Sequence, residues 1–216
     1  MQILSHRGLW KQTSEKNTLD SFKKSIDSNF GFEIDIRHLN EQLFVSHDPL
    51  NTNQKQLLFD DVLSYYQVNN SDVFIAINIK EDGLDMILNK TLKKFEISNY
   101  FFFDMSIPDM VSYYKNDIDF FTRQSEYEIQ PALYEEAQGI WLDEFHTHWI
   151  TLEDLKLHSL NNKKVCIVSP ELHKRAHLTE WVNYKKYLST IEKTDNFFLC
   201  TDYPVEAKDF FIDLLT

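Results

Sequence analysis

Ile3-Leu4-Ser5-His6-Arg7-Gly8, then Phe32-Glu33-Ile34-Asp35-Ile36-Arg37, then Phe44-Val45-Ser46-His47-Asp48-Pro49 are the runs whose reading decides the fold of this chain. Each begins with apolar, strand-forming residues. Each ends in, or carries, side chains able to move protons, hold a metal or grip a phosphate. Core packing alone does not call for three such runs in so short a stretch.

Working outward, residues 11 to 16 form a polar loop, and Asn17-Thr18-Leu19-Asp20 reads as a helix start with Asn17 as N-cap and Asp20 at N3. Leu19, Phe22 and Ile26 follow at helical spacing, so one face of this helix packs inward. Asn40-Glu41-Gln42 then separates the second and third runs. Three residues are too few for a helical crossover, so the two runs are expected to form an antiparallel hairpin. If residue 39 pairs with 43, then 35 faces 47. Alternation puts Glu33 and Asp35 on one face, and this register adds His47 to it, at the cross-strand spacing of about 5 Å between opposite β-carbons.

The rest of the chain alternates strand and helix. A helix over 59–66 precedes the strand 73–80, whose continuous apolar start suits burial on both faces. A helix over 84–95, a strand over 100–105, a helix over 108–116 and a strand over 119–124 come next. A short helix over 131–137 and a strand over 140–142 follow, and Thr151 with Asp154 reads as a capping box. Strand 165–168, helix 178–192, strand 197–200 and a last helix with Pro204 in its first turn complete the chain. About nine strand-type runs separated mostly by helices predict an α/β fold, a (βα)8 barrel with a hairpin between its second and third strands. An open doubly wound sheet would need a glycine-rich strand-to-helix turn to bind a nucleotide, and the chain has none.

The chain has 216 residues, 43% of them hydrophobic and 14% aromatic, enough for one large domain, and no linker or repeat divides 1–216. A net charge of −12 argues against a nucleic-acid or anionic-membrane partner, so an anionic small-molecule substrate must be held by local cations. Cys166 and Cys200 lie in apolar runs and read as buried free thiols. Met1 leads straight into the first strand, and no run of about eighteen apolar residues occurs, so a soluble, cytoplasmic protein without membrane insertion is expected. Oligomeric state is not legible.

In a barrel, chemistry collects where the strands end. His6 and His47 are candidate general acid and base, since an imidazole titrates near neutrality. Glu33, Asp35 and the Asn78 carbonyl oxygen offer hard oxygen ligands to Mg²⁺ or Ca²⁺. Asn78 reads equally as a buried amide. Arg7 and Lys80 suit phosphate oxygens. Arg123 is a further candidate phosphate contact, with a surface ion pair as its alternative. His146 with His148, and His173 with His177, imitate metal spacings but read as solvated loop and helix residues. Acid, base, hard metal and cations together describe phosphoryl transfer at a diester.

These residues also resemble a known family. His6-Arg7-Gly8, Asn17-Thr18-Leu19-Asp20-Ser21-Phe22, Glu33-Ile34-Asp35-Ile36, Ser46-His47-Asp48, Ile77-Asn78-Ile79-Lys80 and Thr201-Asp202-Tyr203-Pro204 look like the ordered motifs of the glycerophosphodiester phosphodiesterases. The resemblance implies a (βα)8 barrel, a divalent cation on Glu33 and Asp35, and His6 and His47 as the catalytic pair. It further implies hydrolysis of a glycerophosphodiester, through attack of the glycerol 2-hydroxyl and a cyclic phosphate, to glycerol 3-phosphate and an alcohol, and so a part in lipid metabolism. The alternatives are a lyase that stops at the cyclic phosphate and a degenerate barrel that only binds a phosphorylated ligand. Three departures stand out. Asn78 replaces the third carboxylate ligand, Lys16 stands where a glutamate is usual, and Val168-Ser169-Pro170-Glu171 replaces a Trp-Thr type strand ending.

Overall fold

In chain order the elements are β1 (Gln2–Ser5), α1 (Leu19–Asp27), β2 (Gly31–Leu39), β3 (Gln42–Val45), β4 (Leu57–Leu58), α2 (Phe59–Val68), β5 (Ile75–Ile79), α3 (Asp85–Lys94), β6 (Tyr100–Phe103), α4 (Ile107–Lys115), β7 (Phe121–Gln124), β8 (Gly139–Leu142), α5 (Leu152–Leu160), β9 (Lys164–Val168), α6 (Leu178–Leu188), β10 (Phe197–Thr201) and α7 (Pro204–Phe210). The structure, a computed structural model, describes residues 1–51, 53, 55–69 and 71–215. Two compact units divide the chain: Ser5–Phe120, and Met1–Leu4 together with the chain from Phe121 onward. Among the described residues no helix is long and apolar enough to cross a membrane.

In the Ser5–Phe120 unit, β2 pairs parallel with β5 and β5 with β6. On its other side β2 forms the expected antiparallel hairpin with β3, and β3 pairs with the two-residue β4 that the sequence did not reveal. Every residue of β5 is buried, as expected for a strand covered on both faces. Phe22 on α1 meets Phe32 on β2 at a ring separation of 5.1 Å, fixing the helix on the sheet. Phe59, Val62 and Leu63 on α2 and Leu88 and Leu92 on α3 are fully buried in the same way. Each such side chain contributes about 1.5–3 kcal/mol relative to exposure.

The hairpin register differs from expectation by one residue: Leu39 pairs with Gln42, not with 43. The cause is the turn. Asn40 and Glu41 both have positive φ, 50° and 62°, the geometry of a two-residue type I′ turn, whose twist matches the flanking strands. The N-cap of α1 also moves by one. Thr18, not Asn17, caps the helix, and its hydroxyl accepts from Ser21 N at 3.2 Å while Ser21 Oγ accepts from Thr18 N at 3.3 Å.

In the second unit β7, β8, β9 and β10 pair in sequence, all parallel. Gly139 on β8 allows close approach there, since a β-carbon would sit 2.5 Å from two ring carbons of Phe121 on β7. Thr151 and Asp154 form the expected capping box on α5, and Pro204 opens α7. Cys166 and Cys200 are buried and free of disulfide. The expected helix over 131–137 does not form. Leu133 adopts a left-handed backbone (φ 52°), and Lys163 Nζ donates to the carbonyls of Glu135 at 3.0 Å and Ala137 at 2.7 Å, holding the segment as turns.

Candidate functional site

His6 and Arg7 follow β1 directly, and the chain turns left-handed at Arg7 (φ 59°) and Gly8 (φ 85°). For a non-glycine residue this conformation costs about 1–2 kcal/mol. Several bonds offset that cost at Arg7. Its N–H donates to Glu33 Oε2 at 3.1 Å, and its carbonyl accepts from Asn17 N at 3.0 Å and from Ser21 Oγ at 3.2 Å. Gly8 has no alternative residue here, because a β-carbon would overlap the Ser21 side chain.

Glu33 and Asp35 share one face of β2, and both are buried. Asp35 is level with Asn78 on the parallel neighbour β5, and Lys80 lies just beyond the end of that strand. Asp35 is heavily engaged. Arg7 Nε lies 2.9 Å from its Oδ2, Lys80 Nζ lies 3.2 Å from its Oδ1, and Asn17 Nδ2 donates to Oδ2 at 2.7 Å. The last bond explains the helix start: a left-handed backbone at Asn17 (φ 56°) turns its side chain toward Asp35, leaving the cap to Thr18. Glu33 is less engaged, with His6 Nε2 3.9 Å from its Oε2.

The two carboxyls therefore diverge. Burial pushes Glu33 up to about 8, helped by the neighbouring Asp35 charge and opposed by Arg7, Lys80 and Asn78. Burial would raise Asp35 too, but the Lys80 and Arg7 cations and the Asn17 amide outweigh it and hold that carboxyl below its ordinary value. Near neutrality one of the pair keeps a proton and the other is ionised.

Glu33 Oε1, Asn17 Oδ1 and Asn78 Oδ1 are buried acceptors with no hydrogen-bond donor among the described residues. Surplus oxygen acceptors beside two carboxylates are the ligand chemistry of a hard cation. Against this, no group of three or more His, Cys, Asp or Glu among the described residues is arranged to hold a metal. Asp35 already has two cationic partners. The donor set fits a divalent ion in kind, with less negative charge than a three-carboxylate site would bring.

His47 sits differently from the expectation. Because Ile36 pairs with Val45, Asp35 lies level with Ser46, whose N–H donates to the Asp35 carbonyl at 3.0 Å. His47 lies past the end of β3 with its side chain 49% exposed, and its Nδ1 is 2.8 Å from Asp48 Oδ1. The structure thus brings together His6, Arg7, Glu33, Asp35, Asn78 and Lys80, and adds Asn17, whose place in the sequence suggests a helix cap. Arg123 belongs to the other unit, where it pairs with Glu128 and lies 5.9 Å from the Phe145 ring centroid.

The histidines that imitate metal spacings take separate partners. His146 meets the Tyr127 hydroxyl, His148 Nδ1 lies 2.8 Å from Glu144, His173 Nε2 lies 2.5 Å from Asp143, and His177 Nε2 lies 3.6 Å from Glu206. The strand-end carboxylates of this unit likewise tie down loops. Glu144 accepts from the N–H groups of Trp149 and Ile150 and from the Tyr184 hydroxyl, and Glu126 accepts from the N–H groups of Phe145, His146 and Thr147.

No protein-family model and no curated protein matches the sequence. Solved structures do match. A protein from Galdieria sulphuraria, provisionally assigned as a glycerophosphodiester phosphodiesterase, aligns at 14% identity with a TM-score of 0.76, covering 98% of this chain and 97% of that one. The glycerophosphodiester phosphodiesterase of Agrobacterium tumefaciens str. C58 aligns at 12% identity and a TM-score of 0.65, covering 99% and 98%. A glycerophosphoryl diester phosphodiesterase from Parabacteroides distasonis ATCC 8503 aligns at 12% and 0.63, covering 100% and 87%. The fold is therefore the (βα)8 barrel type expected from the alternation of strands and helices.

Proposed function

We propose that this protein is a phosphodiesterase that hydrolyses a glycerophosphodiester to glycerol 3-phosphate and an alcohol. The observation that carries the reading is the buried Glu33–Asp35 pair, flanked by His6, Arg7 and Lys80, in a fold shared with solved glycerophosphodiester phosphodiesterases.

His6 and His47 are the acid and base. One takes the proton of the glycerol 2-hydroxyl as that oxygen bonds to phosphorus, and the other gives a proton to the leaving alcohol as its P–O bond breaks. Water then opens the cyclic phosphate with the two roles exchanged. The contact with Asp48 holds the His47 Nδ1 proton and leaves Nε2 to exchange one. Arg7 and Lys80 orient the phosphate. A guanidinium has five N–H donors and an ammonium three, so both can keep Asp35 while donating to phosphate oxygens. Glu33, Asp35 and Asn78 would hold Mg²⁺ or Ca²⁺, which when bound supplies Lewis-acid stabilisation of phosphoryl charge.

The test is release of glycerol 3-phosphate from a panel of glycerophosphodiesters, with and without Mg²⁺ or Ca²⁺. Turnover is expected, with His6→Ala lowering kcat by about 10²–10⁴-fold. A panel with no turnover, or His6→Ala matching the wild type, would overturn the proposal.

A further inference from the structure

The ring of His47 meets Asp48, its own neighbour in the chain, and such a contact travels with the loop. A link that fixes the loop comes from β2. Arg37 lies two residues past Asp35, so strand alternation puts it on the face that carries Glu33 and Asp35. Its guanidinium donates to the His47 carbonyl from Nη2 at 3.0 Å and from Nε at 3.3 Å. The Arg37 side chain is 16% exposed, against 49% for His47, so the anchor is the better buried of the two.

The remaining nitrogen of the fork reaches the other way. Arg37 Nη1 lies 3.5 Å from Glu81 Oε2, and Glu81 Oε1 accepts from His38 N at 2.6 Å. Glu81 directly follows Lys80, whose N–H donates to the Ile36 carbonyl at 3.2 Å and whose Nζ pairs with Asp35. One guanidinium therefore ties the His47 backbone on one side to the segment carrying Lys80 on the other, across the end of β2. A planar fork serves both directions at once, as the single ammonium of a lysine does less well.

We propose that Arg37 is a positioning residue, which acts on the reaction through His47 by holding that imidazole in register with the cations that orient the phosphate. This rests on the phosphodiesterase reading above, in which His47 exchanges a proton with the diester. Proton transfer depends steeply on placement, and an error of about 1 Å costs about 10²-fold.

The experiment measures kcat and KM in wild type, Arg37→Met, Arg37→Lys, His47→Ala and the double variant Arg37→Met/His47→Ala, on the glycerophosphodiester that wild type turns over fastest. Arg37→Met is expected to lower kcat by about 10–10²-fold with KM changed by less than about threefold. Arg37→Lys keeps the charge but not the fork, and should recover only part of the loss. Added to His47→Ala, Arg37→Met should cost less than about twofold, because the group it positions is already gone. A merely structural role would slow both backgrounds equally. Equal losses in the two backgrounds, a kcat in Arg37→Met within about twofold of wild type, or His47→Ala matching wild type would overturn the role of Arg37 and leave the hydrolysis itself standing. No turnover by wild type would remove both. Where Arg37→Met folds poorly, the same comparison made with Arg37→Lys decides the matter.

Discussion

Replacing Glu33 by glutamine should make the protein more stable at neutral pH while removing the proposed phosphodiesterase activity. Glu33 is 1% exposed, and its carboxyl is pushed from 4.5 up to about 8, chiefly by burial and then by Asp35. Below about pH 4.5 folded and unfolded chains both carry the proton, and the group costs nothing. As pH rises the unfolded chain releases it first, so stability is lost across the window from 4.5 to about 8 at about 1.4 kcal/mol per pH unit, or about 3 kcal/mol by pH 7. Glutamine cannot ionise and can still accept from the Arg7 N–H. Urea unfolding of the two proteins at a series of pH values should therefore show a gap that widens in favour of Glu33→Gln by about 3 kcal/mol between pH 4.5 and 7, a difference in Tm of about 6–12 °C for a chain of this size. Saturating Mg²⁺ should narrow the gap, because an ion held by Glu33 as proposed would replace the proton. A gap independent of pH, or one that widens on acidification, would refute the argument that Glu33 is held neutral by its surroundings.

Three further outcomes follow from single sites. Asn78→Glu adds a carboxylate level with Asp35 and should raise Mg²⁺ affinity at least about tenfold by calorimetry, while lowering metal-free stability through like-charge repulsion; unchanged affinity would place the ion elsewhere. His158 bonds Tyr134 and Gln124, and burial pushes it down to about 4, so its contribution is full above about 6.5 and fades as pH falls toward 4. His158→Gln should therefore lose less stability than wild type on acidification from pH 7 to 4.5, by about 2 kcal/mol in denaturant titrations. Gly8→Ala should destabilise by about 2 kcal/mol or more, from its φ of 85° and the overlap with Ser21, and should disturb Arg7; a thermal melt like that of wild type would contradict the close packing.

Much of this was legible because the strands announce themselves: alternation in 32–37 already put Glu33 and Asp35 on one face, and the apolar start of 73–80 already implied a strand covered on both sides. Each difference has an identifiable cause. A type I′ turn usually shows Asn-Gly, and Glu41 in the second position hid a two-residue turn, shifting the register and with it His47. The spacing of 131–137 suited a helix, but Lys163, remote in sequence, takes its carbonyls. Asn17 is a good cap by propensity, yet a bond to buried Asp35 outweighs a cap that Thr18 supplies equally well. The register was decided within the turn itself, whereas the other two outcomes were decided by tertiary contacts that no window of sequence contains.

The charges of the site explain how Asn78 is tolerated. Arg7 and Lys80 match Glu33 and Asp35 one for one, and while Glu33 keeps its proton the four groups carry one net positive charge, the complement of a monoanionic diester. A third carboxylate at position 78 would cancel that charge, and with all three carboxyls ionised would leave one net negative charge and like-charge repulsion for an ion to relieve, so such a site would gain stability from a bound metal. With an amide there, the four charged groups balance without an ion, so on the proposed reaction a divalent ion would be needed for the chemical step and not for holding the diester. Chelator should then abolish turnover while leaving diester binding within a few-fold by calorimetry. Loss of binding together with turnover would show that the ion holds the substrate, and that the positive balance of the side chains is insufficient without it.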